Sequence, residues 1–318
     1  MVDIPSATSQ LGARARTMPL DPPRDDLAGV AGAELEARAA AVAQFAADYP
    51  RHRDHVISKI RGAAVNFEPF GHSFIEQIFP DDLYAQIRAH KLRCKHGDEL
   101  LDRKQDNPAF RNKRFNLADS AEPVVLQMRR LFEDPAIKLE LLRLLYLNPS
   151  ADLADALSIH GEFEYFFTQA GRFQNIHVDI PPKYLSFVFY IPDVPVSPEE
   201  EERNATVIYD KDLSPHYAAR YRPNSVCVFA PHYYSYHGFA STIDRDVLVM
   251  FYVNREALAD WRKWTKSMKD EAPFTGILDA IERKLRLHPL IEYGEDPERL
   301  LRERAECRIN APQGRILI

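Results

Sequence analysis

The sequence predicts a mainly β core, an antiparallel barrel or sandwich, wrapped by helices from both ends of the chain. Three observations predict it. Between residues 158 and 254 the chain breaks into short β-rich runs: EFEYFFTQ, RFQNIHVD, YLSFVFYI, ATVIYD, SVCVFAP, YSYHGF and DVLVMFYV. Each run is bounded by Pro, Gly, Asn or Asp, the punctuation of antiparallel strands. The segments on either side are dominated instead by helix formers.

The elements follow in order. Residues 1–28, rich in Pro, Ser, Ala and charge without periodicity, read as a flexible segment. A mostly helical N-terminal region is expected over 29–157. Within it AGAELEARAAAVAQFAADY (31–49) forms a helix that can continue to Arg61. NFEPFGHSFIEQIF (66–79) reads as extended structure and PDDLYAQIRAHKL (80–92) as a helix with a sound N-terminus. Residues 121–147 read as two helices broken at Pro135. The β core spans 158–254, and 255–318 is a C-terminal helical extension, with helices in REALADWRKWTKSMKDE and TGILDAIERKLRL. PDVPVSPEEEERN (192–204) reads as a solvated acidic connector, with a lid over the core as the second reading.

Composition excludes several classes. Of 318 residues 45% are apolar and 28% charged, enough for a substantial core. A formal net charge of −6 with scattered Lys and Arg argues against nucleic-acid binding. Cys94, Cys227 and Cys307 are far apart and odd in number, which predicts neither disulfides nor a zinc pair but a reducing compartment. The first residues lack the apolar core of a secretory signal, and no apolar run is long enough to span a bilayer. A cytoplasmic protein is expected.

Three His-x-Asp triplets occur where chance supplies roughly one, so the triplet alone decides nothing for so short a motif. His52-Arg53-Asp54 lies in YPRHRDHVISKI, without strand character, and suits a solvated charged surface. His96-Gly97-Asp98 lies in a polar turn between helices. His177-Val178-Asp179 alone ends a strand, where period-2 alternation puts Phe173, Asn175, His177 and Asp179 on one face. A facial triad of two histidines and a carboxylate needs one more histidine from a distant strand. His232 and His237 are the candidates, and His232, in a turn after a proline, suits a structural role. Arg245, eight residues beyond His237, shares a strand face with Val247, Val249 and Phe251. Facing a core, a guanidinium is expensive unless an anion meets it.

His177-x-Asp179, the following YLSFVFYIPD, and His237 with Arg245 downstream resemble the iron(II)- and 2-oxoglutarate-dependent dioxygenases, in their prolyl-4-hydroxylase-like branch. The resemblance covers residues 160–254, and NFEPFGHSFIEQIFPDDLYAQI is similar to the strand-then-helix entry of that family's barrel. It implies a double-stranded β-helix (jelly-roll/cupin-like) barrel with flanking N- and C-terminal helices. It implies Fe(II) on His177, Asp179 and His237, with 2-oxoglutarate and O2 as cosubstrates. The distal carboxylate of 2-oxoglutarate would fall on Arg245, helped by Tyr190, whose face carries Tyr184, Ser186 and Val188. The products implied are succinate, CO2 and an oxidised substrate. A carboxylate at Asp179, where halogenases of the superfamily carry Gly or Ala, favours hydroxylation, desaturation or ring closure. RNATVIYD departs from the Gly-Gly pair common in relatives.

Asn175, Arg172 and Gln169, just before the triad corner, are the candidate substrate residues. Arg111, Arg114, Arg220 and Arg222 are alternatives, each more simply read as a surface charge. A small-molecule substrate, such as an amino acid or natural-product intermediate, is expected ahead of a peptidyl one. A metal-free barrel serving as an interaction module is the third class. FTGILDAIERKLRLHPLI serves a homodimer contact as readily as a core.

Overall fold

The computed structural model describes residues 32–97, 112–146, 153–232 and 234–267. The chain divides into two compact units, 1–41 and 42–318, and of the first only the opening of a helix is described. The expected helix over 275–287 and the dimer-or-core segment lie outside the described residues, as do Asp98 and Arg111.

Helix α1 (Gly32–Arg61) opens on the Ala- and Glu-rich stretch and runs on through Pro50. Helix α2 (Asp81–His96) follows Pro80 and carries Asp81 and Asp82 in its first turn, where the helix dipole favours anions. Helices α3 (Pro123–Phe132) and α4 (Pro135–Tyr146) divide where Pro135 removes a backbone donor. Short α5 (Leu153–Leu157) precedes the β-rich region.

The strands are β1 (Val65–Asn66), β2 (His72–Glu76), β3 (Asn112–Asn116), β4 (His160–Thr168), β5 (Phe173–His177), β6 (Lys183–Tyr190), β7 (Thr206–Tyr209), β8 (Pro215–Ala219), β9 (Ser225–Phe229), β10 (His237–Ala240) and β11 (Arg245–Val253). They form two antiparallel sheets: a seven-stranded one in the order β1-β2-β9-β6-β11-β4-β3, and a four-stranded one in the order β5-β10-β7-β8. Helix α6 (Pro198–Arg203) sits between β6 and β7, and α7 (Arg255–Ser267) follows β11.

Alternation along β11 explains the layering. Leu248, Met250 and Tyr252 join one core cluster with Val56, Ile60, Leu83, Ile87, Met128 and Phe132 of the helices. Val247 and Val249 face the other way, into a cluster with Ile208 and Ala219 of the smaller sheet. The centre of the large sheet is therefore covered on both faces, which is why β6, β9 and β11 read as nearly unbroken apolar runs. Burying each such side chain contributes about 1.5–3 kcal/mol.

Two strands and one helix were not legible. β3, with the sequence NKRFN, is an edge strand paired to β4 alone, and edges tolerate charge. β8 is the other sheet's edge and starts on a proline. The 192–204 segment is the expected exposed acidic connector, but it holds a short helix, α6. Its Ser197 and Glu200 form a reciprocal capping box, and buried Glu201 accepts from Arg222 Nε at 3.0 Å.

A buried ion cluster pins α2 to the start of β11. Lys91, fully buried, donates to Asp193 and, at 2.8 Å, to Asp246 Oδ2; Lys95 reaches the same Asp246 oxygen at 2.8 Å. Burial pushes the Lys91 ammonium below its ordinary range, and the charge of Asp246 opposes that shift. Lys91→Met leaves two carboxylates sharing Lys95, and is expected to lower unfolding stability by about 3 kcal/mol in a urea titration. A midpoint equal to wild type would show that the cluster contributes nothing net.

Candidate functional site

A cavity of about 490 Å³ opens between the two sheets. His177, Asp179 and His237 line it, as do Arg245 and Thr206. One ligand atom from each of His177, Asp179 and His237 lies within 4.8 Å of the others.

Sheet register creates this cluster. His237 opens β10 directly opposite His177, the last residue of β5. Directly opposed side chains on one face stand close together, and here the ring centroids are 4.2 Å apart. Each imidazole is oriented by its own backbone. His177 Nδ1 is 2.8 Å from Asn175 O, and His237 Nδ1 is 3.0 Å from Ser235 O. A carbonyl only accepts, so both Nδ1 atoms carry the proton and both Nε2 atoms present lone pairs. Gln174 Nε2 lies 2.9 Å from His177 Nε2 and donates to its lone pair in the absence of a cation, so a bound metal displaces that contact. Burial pushes His177 down to about 3 and lowers His237 as well, so both rings are neutral, the form that binds metals.

Burial would raise the Asp179 carboxyl, yet the charge of Lys183 and its hydrogen bond hold it well below the ordinary carboxylate range. Lys183 Nζ is 2.6 Å from Oδ1 and Ser186 Oγ donates to Oδ2. A carboxylate offers about four lone-pair positions, so both contacts leave room for a cation. Two neutral imidazoles and one carboxylate are the donor set that suits a non-haem Fe(II) ion with open positions. By contrast the cluster of Asp48, His52 and Asp82 is threaded by Arg51, 2.6 Å from Asp82 and 3.2 Å from Asp48. His52 is not the solvated residue expected from its neighbours: it is buried and lies 3.0 Å from Asp82 Oδ2.

The face expected for Asn175 is wrong. Between the pairs His237↔His177 and Phe239↔Gln174 the register shifts, a bulge that puts one extra residue into β5. Alternation is thereby inverted, and Gln174 rather than Asn175 lines the cavity with His177. Gln169 and Arg172 do not line it either; they form the turn between β4 and β5, where Gly171 takes φ +75°. Gly238 is what lets β10 approach the bulge. A Cβ there would stand 3.0 Å from Gln174 O and 3.3 Å from Asn175 O, both backbone atoms that cannot rotate away. Gly238→Ala is expected to push the two strands apart and weaken divalent-cation binding by about 10-fold. Isothermal titration with Co(II) measures it, and unchanged affinity would refute it.

Arg245 is almost wholly buried at the other end of the cavity. Its Nε donates to Asn204 O at 3.0 Å and Nη2 to Thr206 Oγ1 at 2.8 Å, and the guanidinium lies 3.9 Å from the Phe239 ring centroid. Burial lowers its pKa, opposed by Tyr190 and Tyr221. Tyr190 does not line the cavity. Its hydroxyl sits 2.7 Å from Thr206 Oγ1 and 3.2 Å from Ala219 O, so it acts on the cavity through Thr206. Ser186 and Val188 do line it, but Tyr184 belongs to the helix-facing core. β6 and β11 slip register between Leu185 and Lys183, which brings Lys183 to the cavity in place of Tyr184. His232 stays in the turn before β10, where its Nδ1 accepts from Tyr234 N at 3.1 Å.

Sequence reasoning passed over several wall residues: Lys183, Glu162, Glu164, Thr206, Leu258 and Trp261. The glutamates carried a signal, since they alternate with Phe163 and Tyr165 along β4. Arg114 lines the cavity too, whereas Arg220 is exposed and Arg222 pairs with Glu76 and Glu201.

No protein-family model and no curated protein matches the chain. Among solved structures it is similar to a Pseudomonas putida prolyl-4-hydroxylase at 14% identity and TM-score 0.48, covering 63% of this chain and 99% of that one. It is similar to prolyl 4-hydroxylases from Phytophthora capsici at 14% identity and TM-score 0.45, covering 82% of this chain and 96% of the other. A third is the epimerase SnoN, solved in complex with Fe3+, alpha ketoglutarate and nogalamycin RO, at 14% identity and TM-score 0.40, covering 64% and 84%.

Proposed function

We propose that the protein is an Fe(II)/2-oxoglutarate-dependent oxygenase, its two sheets forming a double-stranded β-helix, that oxidises an unactivated C–H bond of a small molecule. The observation that carries the reading is the pair of cross-strand histidines whose Nε2 lone pairs converge with Asp179 in a cavity that also exposes a buried arginine. His177, Asp179 and His237 hold the iron. Arg245 receives the distal carboxylate of 2-oxoglutarate in a charge-assisted pair, with Thr206 beside it. Tyr190 holds the Thr206 hydroxyl in place. Bound iron with 2-oxoglutarate and O2 supplies the oxidising chemistry, releasing succinate and CO2. Lys183 and Ser186 hold the Asp179 carboxylate in one orientation, and Phe229, Val188 and Val249 keep the neighbouring wall apolar.

A carboxylate at Asp179 favours hydroxylation, or a related desaturation or ring closure, over halogenation. The cavity volume of about 490 Å³ falls within the range of small-molecule sites, which supports a small substrate ahead of a peptidyl one. A reducing, cytoplasmic setting suits Fe(II), and no described helix is long and apolar enough to cross a membrane. The test is iron-dependent succinate release from 2-oxoglutarate with ascorbate present. One bound divalent ion per chain and succinate formation that stops on adding chelator are expected. No metal uptake and no succinate would overturn the reading.

A further inference from the structure

The part of the cavity wall beyond the metal cluster carries charges of both signs. Arg114 on edge strand β3 is the cross-strand partner of Phe166, and its guanidinium lies 4.3 Å from that ring's centroid. Glu164 and Glu162 project from β4 on the same wall, since alternate residues share a face. Arg114 Nη1 and Glu164 Oε2 are 4.0 Å apart, longer than a hydrogen bond. The adjoining wall is apolar: Phe251, Val253, Leu258 and Trp261. Lys183 is held by Asp179, and Arg262, at the exposed edge, stands 3.6 Å from Glu162.

We infer that Arg114 and Glu164 recognise a zwitterionic, amino-acid-like substrate, its carboxylate on the Arg114 guanidinium and its ammonium on Glu164. This names the substrate class for the oxygenase reading above and rests on it only for the chemistry, not for the binding. The match is one of spacing and sign. The carboxylate and ammonium of an α-amino acid are separated by a single carbon, and the wall presents an opposite pair with its charges about as close together. A purely anionic ligand beside Arg114 meets Glu162 and Glu164, and a purely cationic one beside Glu164 meets Arg114. A ligand bearing both charges meets an opposite charge at each member of the pair, while its side chain rests on Trp261 and Leu258. The ring of Phe166 keeps the guanidinium plane in place for a two-point carboxylate contact.

Trp261 on the wall makes fluorescence a binding readout independent of turnover. The probes are the twenty proteinogenic amino acids, each titrated separately into the full chain. The best binder is then compared with its deaminated acid and its decarboxylated amine. At least one amino acid is expected to saturate the signal, with both counterparts about 30-fold weaker or more. Arg114→Gln is expected to weaken the amino acid by a similar factor. Should that variant melt below the assay temperature, Glu164→Gln is read in its place with the same expected loss. Binding of the acid or the amine as tightly as the amino acid, no binding by any of the twenty, or unchanged affinity in both variants overturns the inference. Iron stoichiometry and succinate release on the same preparation separate the two readings. Amino-acid binding without metal uptake sinks the oxygenase reading alone, and succinate release without amino-acid binding sinks this inference alone.

Discussion

His177→Ala is expected to abolish iron-dependent succinate release and to weaken divalent-cation binding by at least ~100-fold. The argument is geometric. His177 and His237 are directly opposed across β5 and β10, and each is preset by a backbone carbonyl to present Nε2. Removing one imidazole leaves one nitrogen and a carboxylate, too few ligands to compete with water for a borderline metal. Fold stability should change little, because the site is a cavity wall and not tightly packed core. Co(II) titration by calorimetry, with circular dichroism melting as the control, measures the effect. Turnover equal to wild type in His177→Ala would sink the metal assignment.

Arg245→Met is expected to raise the dissociation constant for 2-oxoglutarate by about 100-fold, while metal affinity stays within a few-fold of wild type. The guanidinium is nearly inaccessible to water, yet its Nε and Nη2 donate to a carbonyl and a hydroxyl, which are neutral acceptors. A buried cation whose neighbours are a carbonyl, a hydroxyl and uncharged rings is costly, and a carboxylate arriving from the cavity neutralises it. Methionine keeps much of the volume and its contact with Phe239 but loses charge and direction. Calorimetric titration of 2-oxoglutarate into the metal-loaded protein decides it. Unchanged affinity would move the carboxylate site to Arg114 or Lys183.

The outline of the β-rich region was legible because its central strands β6, β9 and β11 are buried on both faces and its runs are bounded by turn residues. β3 and β8 were not, since edge strands need neither apolar alternation nor length. The His-x-Asp corner stood out because strand periodicity distinguished it from two other triplets. Even so, periodicity misassigned its neighbours. A one-residue bulge in β5 exchanges Asn175 for Gln174, and a register slip in β6 exchanges Tyr184 for Lys183. Nothing in residue spacing signals a bulge, because the extra residue is set by the strand it pairs with.

By itself the sequence determined which residues had the chemistry for a metal and an anion: two histidines that end and open strands, an aspartate two residues beyond one of them, and an arginine opening an apolar strand. It also set the helical cover and the alternation that turns Val247 and Val249 one way and Leu248 and Met250 the other. Only the tertiary structure decided that His177 and His237 are cross-strand partners, that Tyr190 reaches the cavity through Thr206, and that Arg114 shares a wall with Glu164. The reason is physical. Which face a side chain takes is a local property of period two, but which strands become neighbours is decided by long-range pairing that no window of sequence contains.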